Sequence, residues 1–296
     1  MNIIIQCDGG LCNRINNLIN GIYLSQLLNR KLYVWWDLNQ ACHCPLEKLF
    51  TNDFNTAYKE IWSDDFVYYT PFNTTKRQDK NSYGELKFRL TFKYDDYPYM
   101  YNRLSDNLNL KSSEIISELK SIQSATLVFS SSLILTEIIP ESFIRKTLAS
   151  LISVPEVNYE MNAALKNDNI DSSVTGIHLR RTDYNLLDDG YIIDLINRYL
   201  KLDNKKRFLV CSDSSATEQK FKNLYPNNVI LVNNKSFIEK INEKKSDQEF
   251  SNLMRSEKSV QSALVDIYLL AHTSFTVFSP VSTFAQTIFR LNKALK

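Results

Sequence analysis

Two adjacent arginines, Arg180 and Arg181, close the apolar stretch VTGIHL, and Thr182 and Asp183 follow them directly. A guanidinium is not tolerated inside a protein without partners, because an unpaired buried charge costs several kcal/mol or more. Planar arginine forks match phosphate oxygens. Taken alone, the pair reads equally well as a solvated turn with surface ion pairs or as an anion site. Two further clusters bear on the choice. Ser212 and Asp213 close the run FLVC, and Ser279, Ser282 and Thr283 stand between the run FTVF and a helical stretch. Arginines and the free N–H groups of a helix start suit a diphosphate. A carboxylate does not bind phosphate, but it accepts hydrogen bonds from ribose hydroxyls or from the N–H edge of guanine. The three clusters together describe a nucleotide-diphosphate pocket. Asp266 adds to it. It lies in ALVDIYLLA, an otherwise apolar helical stretch, where a buried carboxylate needs a donor facing it. A cap on a nearby backbone group is the plainer role for that aspartate.

The elements that must hold these residues alternate as strand and helix. In the second half, strands at Val174–Leu179, Arg207–Cys211, Val229–Val232 and Phe275–Phe278 alternate with helices at Tyr191–Leu200, Ala216–Leu224, Glu257–Ala271 and Phe284–Leu291. That pattern predicts a doubly wound parallel sheet, with its ligand at the carboxyl ends of the strands. Lys235 to Arg255 is charged and reads as partly loop. The first half opens with a strand at Asn2–Cys7, then the tight loop Asp8-Gly9-Gly10-Leu11-Cys12-Asn13-Arg14. An amphipathic helix through Ile15, Leu18, Ile19 and Ile22 and a strand at Lys31–Trp36 follow. The glycine pair lets backbone approach a ligand, but it makes neither a Rossmann GxGxxG nor a P-loop. Asp37 to Leu110 is poorly patterned, with strands expected at Phe66–Tyr69 and Leu86–Phe92 and many aromatics between Tyr58 and Tyr101 that would pack in a core or line a sugar groove. Further on, helices at Ser112–Ser121, Glu141–Leu151 and Glu156–Lys166 and a strand at Ala125–Phe129 are expected. The domain boundary falls near Val154, giving domains at 1–154 and 155–296.

Composition narrows the function classes. The 296 residues are 44% apolar and carry a net charge of +2, too near neutral for a surface that wraps nucleic acid. Met1-Asn2 leads straight into three isoleucines, with no signal-peptide pattern and no apolar run near the ~18 residues that span a bilayer. Five unevenly spaced cysteines fit a reducing, cytoplasmic setting better than a disulfide framework. Cys42-His43-Cys44 is too tightly spaced to chelate one zinc and lacks a second ligand pair. No Asp-x-Asp occurs, so two arginines rather than a metal would neutralise a leaving diphosphate.

HLRRTD (His178 to Asp183), CSDS (Cys211 to Ser214), ALVDIYLLA (Ala263 to Ala271) and SPVSTF (Ser279 to Phe284), behind GGLCNR (Gly9 to Arg14), resemble in that order the fucosyltransferase superfamily. That superfamily holds the NodZ-type and core α1,6-fucosyltransferases and the protein O-fucosyltransferases. The resemblance covers the first ~30 residues and most of the second half, and motifs count only in matching structural context. It implies an α/β fold of the GT-B kind, two Rossmann-like doubly wound domains facing across a cleft, and GDP-fucose held mainly by the second domain. No metal or other cofactor is expected. Arg180 would stabilise the β-phosphate, with Arg181 and Asp183 completing the donor site or bracing the loop. Asp213 and Asp266 would hold ribose and guanine, and Ser282 and Thr283 would donate to phosphate. His178 would lie against the nucleotide or be an inward-facing structural histidine. Gly9, Gly10, Asn13 and Arg14 would face the donor from the first domain, and Asp8 is the candidate base. One departure stands out: Cys12 occupies the place of a further glycine in the family's loop, which would leave that loop stiffer or reshaped. The acceptor is a glycan, a lipid-linked sugar or a protein hydroxyl. Another nucleotide sugar, or a sugar- or nucleotide-binding module without catalysis, is the alternative.

Overall fold

The computed structural model describes residues 1–36, 38–56, 66–69, 112–130, 134–136, 138–181, 187–240, 253–278 and 282–296. The chain divides into two compact units. One comprises Met1–Gly9, Asn13–Asp37 and Asp53–Phe143; the other comprises Gly10–Cys12, Leu38–Asn52 and Ile144–Lys296.

The first unit is built on β1 (Asn2–Cys7), β2 (Lys31–Trp36), β3 (Phe66–Tyr69) and β4 (Thr126–Phe129), a parallel sheet in the order β2-β1-β4-β3. β1 is interior, and its isoleucines Ile3, Ile4 and Ile5 are fully buried, as expected of a strand covered on both faces. Helix α1 (Leu11–Leu28) links β1 to β2. It starts four residues earlier than the sequence pattern suggests. Leu11 and Cys12 are buried, so they belong to the first helical turn rather than to the loop, which shrinks to Asp8-Gly9-Gly10. α2 (Ser112–Ser121) is the helix that precedes β4. The expected strand at Leu86–Phe92 and the side chains of the aromatic-rich stretch lie outside the described residues.

The second unit carries β5 (Thr175–Leu179), β6 (Phe208–Ser212), β7 (Val229–Ile230) and β10 (Phe275–Val277) in the order β10-β5-β6-β7, again parallel. Its helices are α3 (Glu141–Ser150), from Ile144 onward, α4 (Pro155–Asn167), α5 (Asp189–Leu202), α6 (Ser215–Leu224), α7 (Glu257–His272) and α8 (Thr283–Leu295). Within the charged segment after β7, a two-residue antiparallel pair forms between β8 (Glu239–Lys240) and β9 (Leu253–Met254); no periodicity announces it. One face of the sheet, through Ile177, Leu179, Phe208 and Val210, packs on Ile192 and Ile196 of α5 and Phe221 of α6. On the opposite face, His178 and Cys211 are aligned neighbours in the β5–β6 register. The His178 ring stacks on Phe284 of α8 at 4.3 Å. All five cysteines are buried and free. No helix among the described residues is long and apolar enough to cross a membrane.

Candidate functional site

The order β10-β5-β6 sets three parallel strand ends side by side, each carrying one of the polar clusters picked out in the sequence. Chain order runs one way from β5 to β6 and β7, while β10 returns on the other side of β5. That reversal is a topological switch point, where open α/β sheets leave a crevice outside the strand ends. Arg180 follows β5 there, and Ser282 and Thr283 start the helix after β10. By strand alternation Arg180 continues the face that presents His178 to Phe284.

Ser282 is the N-cap of α8, with its side chain making no cap hydrogen bond. The serines that cap α6 and α7 do make one: Ser214 Oγ accepts from Thr217 N and Ser256 Oγ from Ser259 N. Ser282 Oγ is buried and has no hydrogen-bond partner among the described residues. A buried hydroxyl without a partner is costly, and at a helix N-terminus the ligand that fits it is an anion.

The two arginines do different work. The backbone N–H of Arg181 donates to Asp213 Oδ1 at 2.6 Å. Its guanidinium binds Asp189 Oδ1, at the start of α5, at 2.5 Å, and Lys220 holds the other oxygen of that carboxylate at 2.6 Å. The hydrogen bond from Lys220, joined by the one from Arg181, keeps the Asp189 carboxyl below the usual range. Arg181 therefore braces the strand end. Arg180 is half-buried, and its charge reaches both His178 and Cys12. Asp183 lies outside the described residues.

Asp266, on α7, meets the donor that its apolar surroundings demanded. Lys235 Nζ lies 2.5 Å from its Oδ2 and 2.6 Å from Glu218 Oε1 on α6, and all three side chains are at most 6% exposed. Asp266 Oδ1 is buried without a hydrogen-bond partner among the described residues, and the Cys211 thiol is set against the same carboxyl. Two carboxylates share one ammonium here. Burial alone would lower Lys235, but Asp266, Cys211 and Glu218 together lift it above its ordinary value, while burial raises Asp266 and Glu218. The ammonium stays charged. Burial, reinforced by Lys235 and Arg180, pulls His178 down to about 3, so its imidazole is neutral. Nothing in the sequence marks out Lys235 or Glu218, and Cys211 enters only as the first residue of CSDS. The one signal was the need of Asp266 for a partner, which does not say which lysine supplies it.

In the first unit, Asp8 Oδ1 accepts from Gly9 N at 2.7 Å. Gly9 has φ +79°, and a Cβ on it would come 2.9 Å from Asn13 Nδ2, so the turn requires glycine there. Arg14 is fully buried. Its Nε donates to Gly9 O at 2.7 Å, and its guanidinium lies 5.2 Å from the centre of the Trp36 ring. Asn13 and Gly10 are half-buried. Cys12 sits in the first turn of α1 without the left-handed backbone of Gly9; burial lifts its thiol to about 12 against the opposing influence of Thr287 and Arg180. Cys42 and Cys44 are buried and His43 is exposed. No group of three His, Cys, Asp or Glu among the described residues could hold a metal.

Compared by sequence, the chain matches no family model and no curated protein. Compared by structure, it matches the fucosyltransferase NodZ from Bradyrhizobium with a TM-score of 0.59 at 15% identity, over 97% of this chain and 92% of that one. NodZ alpha-1,6-fucosyltransferase soaked with GDP-fucose matches with the same score and identity, over 98% and 91%. POFUT1 in complex with GDP-fucose matches with a TM-score of 0.55 at 13% identity, over 98% and 93%. The chain thus has the GT-B-type α/β fold of these fucosyltransferases.

Proposed function

We propose that this chain is an inverting glycosyltransferase that transfers fucose from GDP-fucose to a hydroxyl of a glycan or another acceptor. The observation that carries the reading is the switch point of the second sheet. Arg180 follows one of the two strands that flank it and the start of α8, with its orphaned Ser282 hydroxyl, follows the other, in a fold shared with proteins solved with GDP-fucose. In this reading Arg180, Ser282 and Thr283 take the diphosphate, while Asp213 and Asp266 serve the nucleoside side. His178 is the neutral ring beneath.

In the reaction, an acceptor oxygen attacks C1 of the sugar from the face opposite the diphosphate. The bond from C1 to the diphosphate oxygen breaks through an oxocarbenium-like state, its electron pair leaves with GDP, and the acceptor proton passes to a base. Asp8 is the candidate base. Arg180 offsets the charge that builds on the leaving oxygen, a contribution of about 3 kcal/mol for one such donor. With no Asp-x-Asp in the chain, the reading assigns that task to Arg180 rather than to a metal.

A thermal-shift titration tests it, with GDP, UDP, ADP and GDP-fucose in the presence of EDTA, on wild type and Arg180→Ala. A ligand of the folded state raises the melting temperature. Stabilisation by GDP and GDP-fucose alone, lost in the variant, is the expected result. Stabilisation by UDP instead overturns the fucose assignment, and no response to any nucleotide overturns the donor site.

A further inference from the structure

Lys235 and Glu218 carry no ligand role above, unlike Asp266 beside them, and a chain of hydrogen bonds connects them to the arginine strand. Glu218 Oε1 accepts from Lys235 Nζ at 2.6 Å and also from the backbone N–H of Ser212 at 2.7 Å. Ser212 Oγ donates to the carbonyl of Leu179 at 2.6 Å and accepts from Ser214 N. The next residue, Asp213, accepts from Arg181 N. The peptides before and after Arg180 are therefore both fastened to the turn at 212–213. That turn is fastened to Glu218, and Glu218 to Lys235.

Lys235 itself arrives on irregular backbone after β7. Asn234 before it has φ 58°, and Ser236 N donates to Ser262 Oγ on α7. Taking an ammonium out of water is costly, and a second buried carboxylate beside it leaves the cluster short of positive charge. A lysine at the protein surface would avoid both costs, so its burial calls for something the cluster does.

We infer that Lys235 is a positioning residue for Arg180: through Glu218 and Ser212 it fixes the β5 and β6 strand ends, and so the place where the arginine meets the donor diphosphate. The inference rests on the reading that Arg180 binds that diphosphate. Lys235 touches no substrate in it. Its effect is on where Arg180 stands.

Four variants separate this role from plain stability. Lys235→Met leaves two buried carboxylates without a cation. Glu218→Gln keeps an oxygen for Ser212 N and removes one negative charge. Glu218→Ala removes the acceptor. The double variant Lys235→Met/Glu218→Gln restores both the acceptor and the wild-type net charge of the cluster. GDP affinity is read by calorimetry below the melting temperature of each variant, and exchange of the Ser212 and Arg181 amides is read without ligand. Expected are a tenfold or greater loss of GDP affinity in Lys235→Met and Glu218→Ala, with faster exchange of both amides. Glu218→Gln stays within about threefold of wild type, and the double variant recovers most of what Lys235→Met lost. The inference is overturned if folded Lys235→Met binds GDP like wild type, or if the double variant stays as weak as Lys235→Met. Should Lys235→Met fail to fold, the double variant against Glu218→Ala carries the same comparison. If wild type binds no GDP at all, the donor reading falls; unchanged amide exchange in Glu218→Ala sinks the positioning role independently.

Discussion

At the carboxyl end of β1 the chain lays an arginine under its own backbone; at the carboxyl end of β5 it keeps one half-buried at the strand end. Both ends are switch points of four-stranded parallel sheets, although the strand orders differ, β2-β1-β4-β3 against β10-β5-β6-β7. In the first, Arg14 is fully buried and donates to Gly9 O, while Asp8 accepts from Gly9 N. Both contacts hold the turn at Gly9. In the second, Arg181 takes the bracing role through Asp213 and Asp189, and the hydroxyl at the start of α8 is left over. Residue type alone does not separate a brace from a ligand contact. What identifies a brace is that neighbouring groups of the protein take up its donors, as they do for Arg14 and Arg181.

The sharpest way to break this comparison is Arg14→Met. Removing the buried guanidinium orphans the Gly9 carbonyl and the face of Trp36, at an expected cost of about 3 kcal/mol. For a chain of this size that is a drop in melting temperature of roughly 5–10 °C. The added stabilisation by saturating GDP should stay as in wild type, the reverse of Arg180→Ala. If Arg14→Met melts like wild type yet loses its GDP response, the two arginines have been assigned the wrong way round.

A pH experiment sharpens the second region. His178 has a folded pKa of about 3 against about 6.5 when unfolded. Between those values the unfolded chain binds the extra proton, so the contribution of His178 is complete above pH 6.5 and falls as pH drops toward 3. The loss approaches about 1.4 kcal/mol per pH unit. The raised carboxyls of Glu218 and Asp266 act in the opposite sense, since their burial cost is relieved on acidification. Urea denaturation at pH 7 and pH 5 on wild type and His178→Phe, which keeps a ring over Phe284, isolates the histidine. Wild type should lose more stability than the variant over that interval, and equal losses would show that the imidazole is not held neutral.

The smallest effect concerns the glycine pair. Gly9→Ala places a side chain at positive φ, 2.9 Å from Asn13, and should cost about 1–2 kcal/mol. Gly10 has open space around it, and Gly10→Ala should stay within about 0.5 kcal/mol of wild type. Chemical denaturation of the two variants side by side checks the difference; equal costs would mean the turn does not depend on left-handed backbone at Gly9.

The three strand ends of the second unit were legible because alternating strands and helices force their polar termini to one edge of a parallel sheet. The demand of Asp266 for a donor was legible too, since hydrophobic neighbours leave a carboxylate no other option. Lys235 was not, because a lysine in a charged segment looks like any solvated lysine until the fold closes over it. The burial of Arg14 was hidden for the same reason, and the early start of α1 because Cys12 and Asn13 are poor helix formers in isolation. Tertiary packing overrode local preference at each of these places.

The register of β10 on β5 has a consequence in time. Phe275 pairs with Thr175, so the strand that forms one wall of the crevice is joined to the other across a long intervening chain. β5 and β6, by contrast, are neighbours in sequence as well as in space. Distant parallel pairings close later than near ones, because the entropy of the loop must be overcome before any contact rewards it. The brace of Arg181 on the 212–213 turn can therefore form early, while the start of α8 is brought to the β5 edge only when β10 docks. During folding, the edge that carries α8 is added after the scaffold that holds Arg180.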